Sequence, residues 1–87
     1  MPGGYRVIIL PSARRELQGL HQPLLGRVAV AISALSDNPR PHGCRKLENS
    51  ESDYRIRIGD HRVLYEVSDA EKIINVYRVR HRSKAYS

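Results

Sequence analysis

Residues 53–67, DYRIRIGDHRVLYEV, constrain this chain more than any other stretch, because their alternation and their turn together specify a β-hairpin. Successive side chains of a strand point to opposite faces, so Tyr54, Ile56 and Ile58 face one way and Arg55 and Arg57 the other. Gly59-Asp60 forms a two-residue loop of the glycine-first kind, which sets the register of the flanking strands. Ile58 then faces His61, Arg57 faces Arg62, Ile56 faces Val63 and Arg55 faces Leu64. Like charges directly opposed across a ladder cost roughly 0.2–1 kcal/mol, so such a pair persists where it is well solvated or where an anion lies over it.

Around this hairpin the pattern predicts an α+β fold. Tyr5 to Leu10, YRVIIL, is β-branched, follows Gly3-Gly4 and precedes Pro11, as a first strand would. Ser12 is a candidate N-cap for a short helix with Ala13, Leu17 and Leu20 on one stripe, weakened by Gly19. Pro23 opens a second helix in which Leu24, Leu25, Val28, Ile32 and Leu35 keep helical spacing up to Asp37-Asn38-Pro39. NPRPHG, residues 38–43, is a stiff connector. Arg45-Lys46-Leu47 reads as a short strand, Asn49 to Ser52 as a turn, and about Lys72 to Arg80 as a last strand. The order β-α-α-β-β-β implies two N-terminal helices packed on a curled antiparallel sheet. A length of 87 residues suits one domain, residues 1–87, with one core.

Composition narrows the function classes. The net charge of +6 favours an acidic partner, nucleic acid or protein. Five Lys/Arg against two Asp/Glu in residues 1–40, and ten against seven in residues 41–87, spread that charge along the chain. With no Phe and no Trp, five tyrosines are the only aromatic rings, which disfavours a binder that relies on stacking a single strand. Cys44, the sole cysteine, excludes an internal disulfide and fits a reducing cytoplasm. No apolar run reaches the ~18 residues of a membrane span, so the expectation is a cytoplasmic protein without membrane contact. His21, His42 and His61 lack ligand spacing, there is no glycine-rich phosphate loop, and no metal or cofactor is expected.

The C-terminal stretch carries Arg78, Arg80, His81, Arg82, Lys84 and Tyr86. Its relation to the hairpin depends on one loop. A two-residue loop, Asp69-Ala70, sets Arg62 against Tyr77 and turns Arg78 and Arg80 inward. A loop that includes Glu71 sets Arg62 against Arg78 and turns Ile73, Tyr77 and Val79 inward, which fits burial better. The second register would gather Arg55, Arg57, Arg62, Arg78 and Arg80 on one face, with Lys46 at the edge and Arg82 and Tyr86 at the rim. A solvated basic face balanced by Asp53 and Glu66 is the plainer alternative.

Arginine binds phosphate through a planar fork and does not release its proton near neutral pH. A catalytic version of this face would therefore suit cleavage of RNA, whose own 2′-hydroxyl can be the nucleophile. The protein would hold the phosphate for in-line attack, stabilise the transition-state charge and accept the hydroxyl proton. Clustered arginines favour an ionised phenol and a neutral imidazole, so either Tyr86 or His81 could accept it.

SARRELQGL, NPRPHG, RKLENSESDYRIRIGDHRVLYEV and VYRVRHRSKAY together resemble the RelE/ParE superfamily of bacterial toxin-antitoxin toxins over nearly the whole chain. YRIRIGDHRVLYEV and HRSKAY are the specific part. The resemblance implies a toxin that enters the ribosomal A site and cuts mRNA through the RNA 2′-hydroxyl, without a metal, inhibiting translation. Arg55 and Arg57 match the two basic positions before the hairpin turn, Arg62 the arginine after it, Arg80 or Arg82 the C-terminal arginine, and Tyr86 the late tyrosine that accepts a proton. Some members carry lysines where Arg55 and Arg57 stand. The resemblance also implies a cognate antitoxin as partner, beside the ribosome and mRNA. Other outcomes it leaves open are a ParE-like inhibitor of DNA gyrase and a catalytically degenerate antitoxin-binding module.

Overall fold

A computed structural model describes residues 4–84. Strand β1 (Arg6–Ile9) leads into helices α1 (Pro11–Gln18) and α2 (Leu24–Ala34), followed by β2 (Arg45–Lys46), β3 (Asp53–Ile58), β4 (His61–Ser68) and β5 (Ile73–His81). The α+β class, the two helices and the short strand at Arg45-Lys46 agree with the sequence pattern, and with that strand counted the order is β-α-α-β-β-β-β rather than β-α-α-β-β-β. The five strands lie in the order β1-β5-β4-β3-β2. Pairing is antiparallel from β2 through β5, but β1 runs parallel to β5, from Arg6 opposite Ile73 to Ile9 opposite Val76. The sheet is therefore mixed rather than wholly antiparallel. Its first strand pairs with the last across the length of the chain, which no local turn signals.

One face of the sheet carries the core. Ile56 and Ile58 of β3, Val63, Tyr65 and Val67 of β4, and Ile74, Val76 and Val79 of β5 pack with Ala13, Val28, Ile32 and Leu35 from the helical layer. The helix boundaries follow the apolar stripe, but Ser12 is not a cap: Leu10 is the N-cap residue, Pro11 opens the helix, and no side chain caps it. Ser12 Oγ instead donates to the Tyr77 carbonyl at 2.7 Å, and four residues on, Glu16 Oε1 accepts from the Val79 N–H at 2.8 Å. Because β1 ends at Ile9, this face of α1 supplies partners for backbone groups of β5 that have no strand beside them.

The connector after α2 is fastened to the far end of the sheet. Arg40 makes two hydrogen bonds to Asp69, at 2.7 and 3.2 Å, and a third to Tyr54 Oη at 3.0 Å, with its guanidinium 5.0 Å from the Tyr54 ring centre. Tyr5 donates to the same carboxylate, and Tyr65 Oη donates to the Pro39 carbonyl at 2.7 Å. Hydrogen bonds from Arg40 and then Tyr5 hold Asp69 below the usual carboxylate range. The hydrogen bond to Asp69, with that to Tyr54, raises Arg40 further above its ordinary value. Burial, with Cys44 beside it, pushes the Tyr65 phenol up. The stiff connector thus leaves α2 in a defined direction and delivers β2 to the edge of β3.

Candidate functional site: an arginine face on the sheet

The face opposite the helices begins with the hairpin. Gly59 has φ 59°, a left-handed conformation suited to glycine, and the two-residue turn holds the register expected from sequence, Arg57 opposite Arg62 and Arg55 opposite Leu64. On the other side of β4, Arg62 pairs with Arg80 and Leu64 with Arg78. Two cross-strand rows result. Arg57, Arg62 and Arg80 form one, and Arg45, Arg55, Leu64 and Arg78 form the other.

The last strand takes neither register considered from sequence. Residues 69–72 form the turn, and the ladder slips between Leu64 and Tyr65: Leu64 pairs with Arg78, Tyr65 with Val76, and Tyr77 has no residue opposite it. This β-bulge corrects the expectation that Arg62 faces Arg78 and that Ile73 and Tyr77 turn inward, whereas Val79 turns inward as expected. Ile74 and Val76 are fully buried before the bulge and Val79 is buried after it. The extra residue lets one strand bury all three and still present Tyr77, Arg78 and Arg80 to the arginine face.

A cleft of about 770 Å³ lies over this face, lined by Arg45, Lys46, Leu47, Glu48, Asn49, Arg55, Leu64, Tyr77, Arg78 and Arg80. Arg55 also lines a smaller cleft beside it, with His42, Arg45 and Arg57. Its position is unusual, since the residue is only 7% exposed yet makes no hydrogen bond or ion pair among the described residues. Lys46 is exposed at the edge and bonds Glu51 Oε2 at 3.2 Å. Arg80 is fixed from behind: its Nε donates to Glu16 Oε2 at 2.7 Å. Burial, followed by Asp53 and Glu66, raises the Tyr77 phenol, which keeps it neutral at physiological pH.

Arg57 stays on the arginine face, exposed at the hairpin end, where it also borders a groove with Arg27, Val30 and Ile58. The remaining expected site residues lie elsewhere. His81 pairs with His61 on the side of Val63 and Val79, away from the arginine rows, with the two rings edge to face at 5.5 Å. Its Nδ1 is engaged by Ser83, 3.2 Å from the backbone N–H and 3.0 Å from Oγ. Arg82 is exposed and its N–H bonds the Asp60 carbonyl at 2.7 Å, outside the cleft. Tyr86 lies outside the described residues. Sequence reasoning missed Arg45, Tyr77 and Glu16. Only Arg45 left a trace, as the neighbour of Lys46 in a short strand whose pairing the turn at Asn49 to Ser52 conceals.

Fold and face together define an α+β protein with an arginine-lined cleft on the open face of its sheet. Residues 7–86 match the model of the ParE toxin of the type II toxin-antitoxin system parDE. A putative toxin RelE1 of Methanocaldococcus jannaschii is 31% identical over 85 residues, covering 94% of each chain. Among solved structures, the archaeal RelE-RelB complex from Pyrococcus horikoshii superposes with TM-score 0.82 at 31% identity, covering 94% of this chain and 99% of that one. The RelBE2 toxin-antitoxin complex from Mycobacterium tuberculosis gives TM-score 0.78 at 28% identity, covering 91% and 99%. The chain belongs to the RelE/ParE superfamily of toxins from type II toxin-antitoxin systems.

Proposed function

We propose that this toxin is a ribosome-dependent mRNA endoribonuclease that stops translation, with its arginine face as the phosphate seat. One observation carries the reading: Arg55 is buried without an acidic partner among the described residues, in a face already crowded with arginines. Its guanidinium opens on the cleft rather than being sealed in the core, and an RNA phosphate there supplies the counter-charge that no described side chain gives it. Arg55, Arg78 and Lys46 bind the backbone, while Arg57, Arg62 and Arg80 hold the scissile phosphate and stabilise the charge that grows on its oxygens. The RNA 2′-oxygen attacks the adjacent phosphorus and the 5′-oxygen leaves, giving a 2′,3′-cyclic phosphate. Tyr86, ionised to phenolate beside the arginines, takes the 2′-hydroxyl proton, and the leaving 5′-oxygen takes up a proton from water to become the 5′-hydroxyl. The orientation of His81 and the hydrogen bond at its Nδ1 argue against that role for His81, and the cleft favours Arg80 over Arg82 as the C-terminal arginine.

The same charge suits an acidic antitoxin that covers the face in the cytoplasm, and two relatives are solved as toxin-antitoxin complexes. Expression without antitoxin, followed by mapping of mRNA 5′ ends with and without ribosomes, tests the activity. Codon-phased cuts that need ribosomes and vanish in the Arg57→Ala/Arg62→Ala double variant are expected; cuts that persist in that variant sink the assignment. The match to ParE toxins favours one second reading, inhibition of DNA gyrase. Loss of supercoiling by purified gyrase with intact mRNA would establish it instead.

A further inference from the structure

Resting on the RNA-cleavage reading, we infer that Tyr77 and Leu64 form a nucleobase seat inside the arginine cleft, so that the toxin grips a base as well as phosphates. The bulge is what creates it. A regular β5 would have to place Tyr77 on the opposite face from Arg78, whereas the slipped ladder leaves Tyr77 without a cross-strand neighbour and among the residues lining the cleft. Leu64 is 5% exposed and lies between Arg55 and Arg78 in its row, so the middle of the cleft is apolar while its walls are mostly cationic, with Glu48 the one acid among the lining residues. An apolar and aromatic floor between guanidinium groups matches one nucleotide of a single strand, with the ring on the floor and the phosphates at the walls. The Tyr77 phenol is held neutral by burial and by Asp53 and Glu66, which suits a stacking ring and a hydrogen-bond donor rather than a base. Few aromatic rings do not preclude such a seat, since a single platform placed at the scissile nucleotide suffices to orient it.

The test compares adenosine 3′,5′-bisphosphate with the same sugar bisphosphate lacking the base, titrated into the full-length protein by calorimetry at low salt. The two probes carry the same phosphates, so the difference reads the base alone. Binding of the complete nucleotide should be tighter by roughly 5- to 150-fold. Tyr77→Phe should keep that preference, and Tyr77→Leu should remove it while the baseless probe binds as before. Upfield shifts of the Tyr77 ring protons in the nucleotide complex, assigned through the Phe variant, report stacking directly. Equal binding of the two probes by the wild-type protein, no binding of either, or an undiminished preference in Tyr77→Leu overturns the seat. A base preference without ribosome-dependent mRNA cuts would refute the nuclease and leave the seat standing; cuts without a base preference would do the reverse.

Discussion

Glu16 of α1 joins two consecutive groups of β5 with its two carboxylate oxygens: Oε1 accepts the Val79 N–H at 2.8 Å and Oε2 accepts Arg80 Nε at 2.7 Å. The helix therefore sets both the path of the strand beyond its bulge and the aim of an arginine in the cleft. The ion pair is only partly shielded, with side chains 23% and 29% exposed, so its direct contribution is modest and its geometric effect is the larger one.

Replacing Glu16 separates these effects. Glu16→Gln keeps an acceptor for Val79 and should change stability by less than about 1 kcal/mol, whereas Glu16→Ala should cost about 1–3 kcal/mol by leaving a buried N–H without a partner. Urea denaturation of both variants measures the difference. Both should lower RNA cleavage, and a Gln variant with unchanged cleavage would show that Arg80 finds its position without the carboxylate.

Arg55→Met exchanges a guanidinium that opens on the cleft without an acidic partner for an apolar chain of similar reach. The variant should be as stable as the wild type or more stable by less than about 1 kcal/mol, because no ion pair is lost and one like-charge neighbour is removed. If Arg55 meets one RNA phosphate, the plot of log affinity against log salt should also flatten by about one unit. Denaturation midpoints and a salt titration with single-stranded RNA check the two halves independently.

Arg62 lies between Arg57 and Arg80 in a continuous row, and its Nη1 also reaches the His61 carbonyl at 3.3 Å. Arg62→Gln retains a donor of shorter reach and removes the central charge. Relief of two opposed pairs should raise stability by roughly 0.4–2 kcal/mol at low salt, and the gain should shrink as salt screens the row. A thermal melt series in increasing salt distinguishes this from a packing effect, which salt would leave unchanged.

The Arg40–Asp69 clamp gives a pH signature. Asp69 is held below its ordinary carboxylate value, so its stabilising effect is complete above the unfolded-state value of about 3.9 and is lost as pH falls through the lower, folded-state value. Asp69→Asn should therefore melt below the wild type at neutral pH and converge with it in acid. A gap in melting temperature that stays constant from pH 7 down through the carboxylate range would contradict the clamp.

What was legible in sequence and what was not divides along local and non-local geometry. Tight turns and alternation declare themselves, so the Gly59-Asp60 hairpin and the opposed Arg57 and Arg62 could be read directly. The register of β5 could not, because a four-residue turn and the bulge each shift it, and two compensating irregularities leave no periodic trace. The parallel pairing of β1 with β5 and the reach of Ser12 and Glu16 onto β5 are contacts between opposite ends of the chain. Nothing in the sequence sets Glu16 apart from an ordinary helix carboxylate; the strand beneath it gives it its role.

The row of Arg57, Arg62 and Arg80 leaves the sheet locally frustrated: each residue fits its strand, and together they oppose the packing that strand formation brings about. Any polyanion laid across the row relieves that conflict and stiffens the three strands at once. Occupancy and rigidity are thereby coupled, so an RNA substrate and an acidic antitoxin would both protect this part of the fold from opening, and a protein with an empty face should exchange its β4 amides fastest.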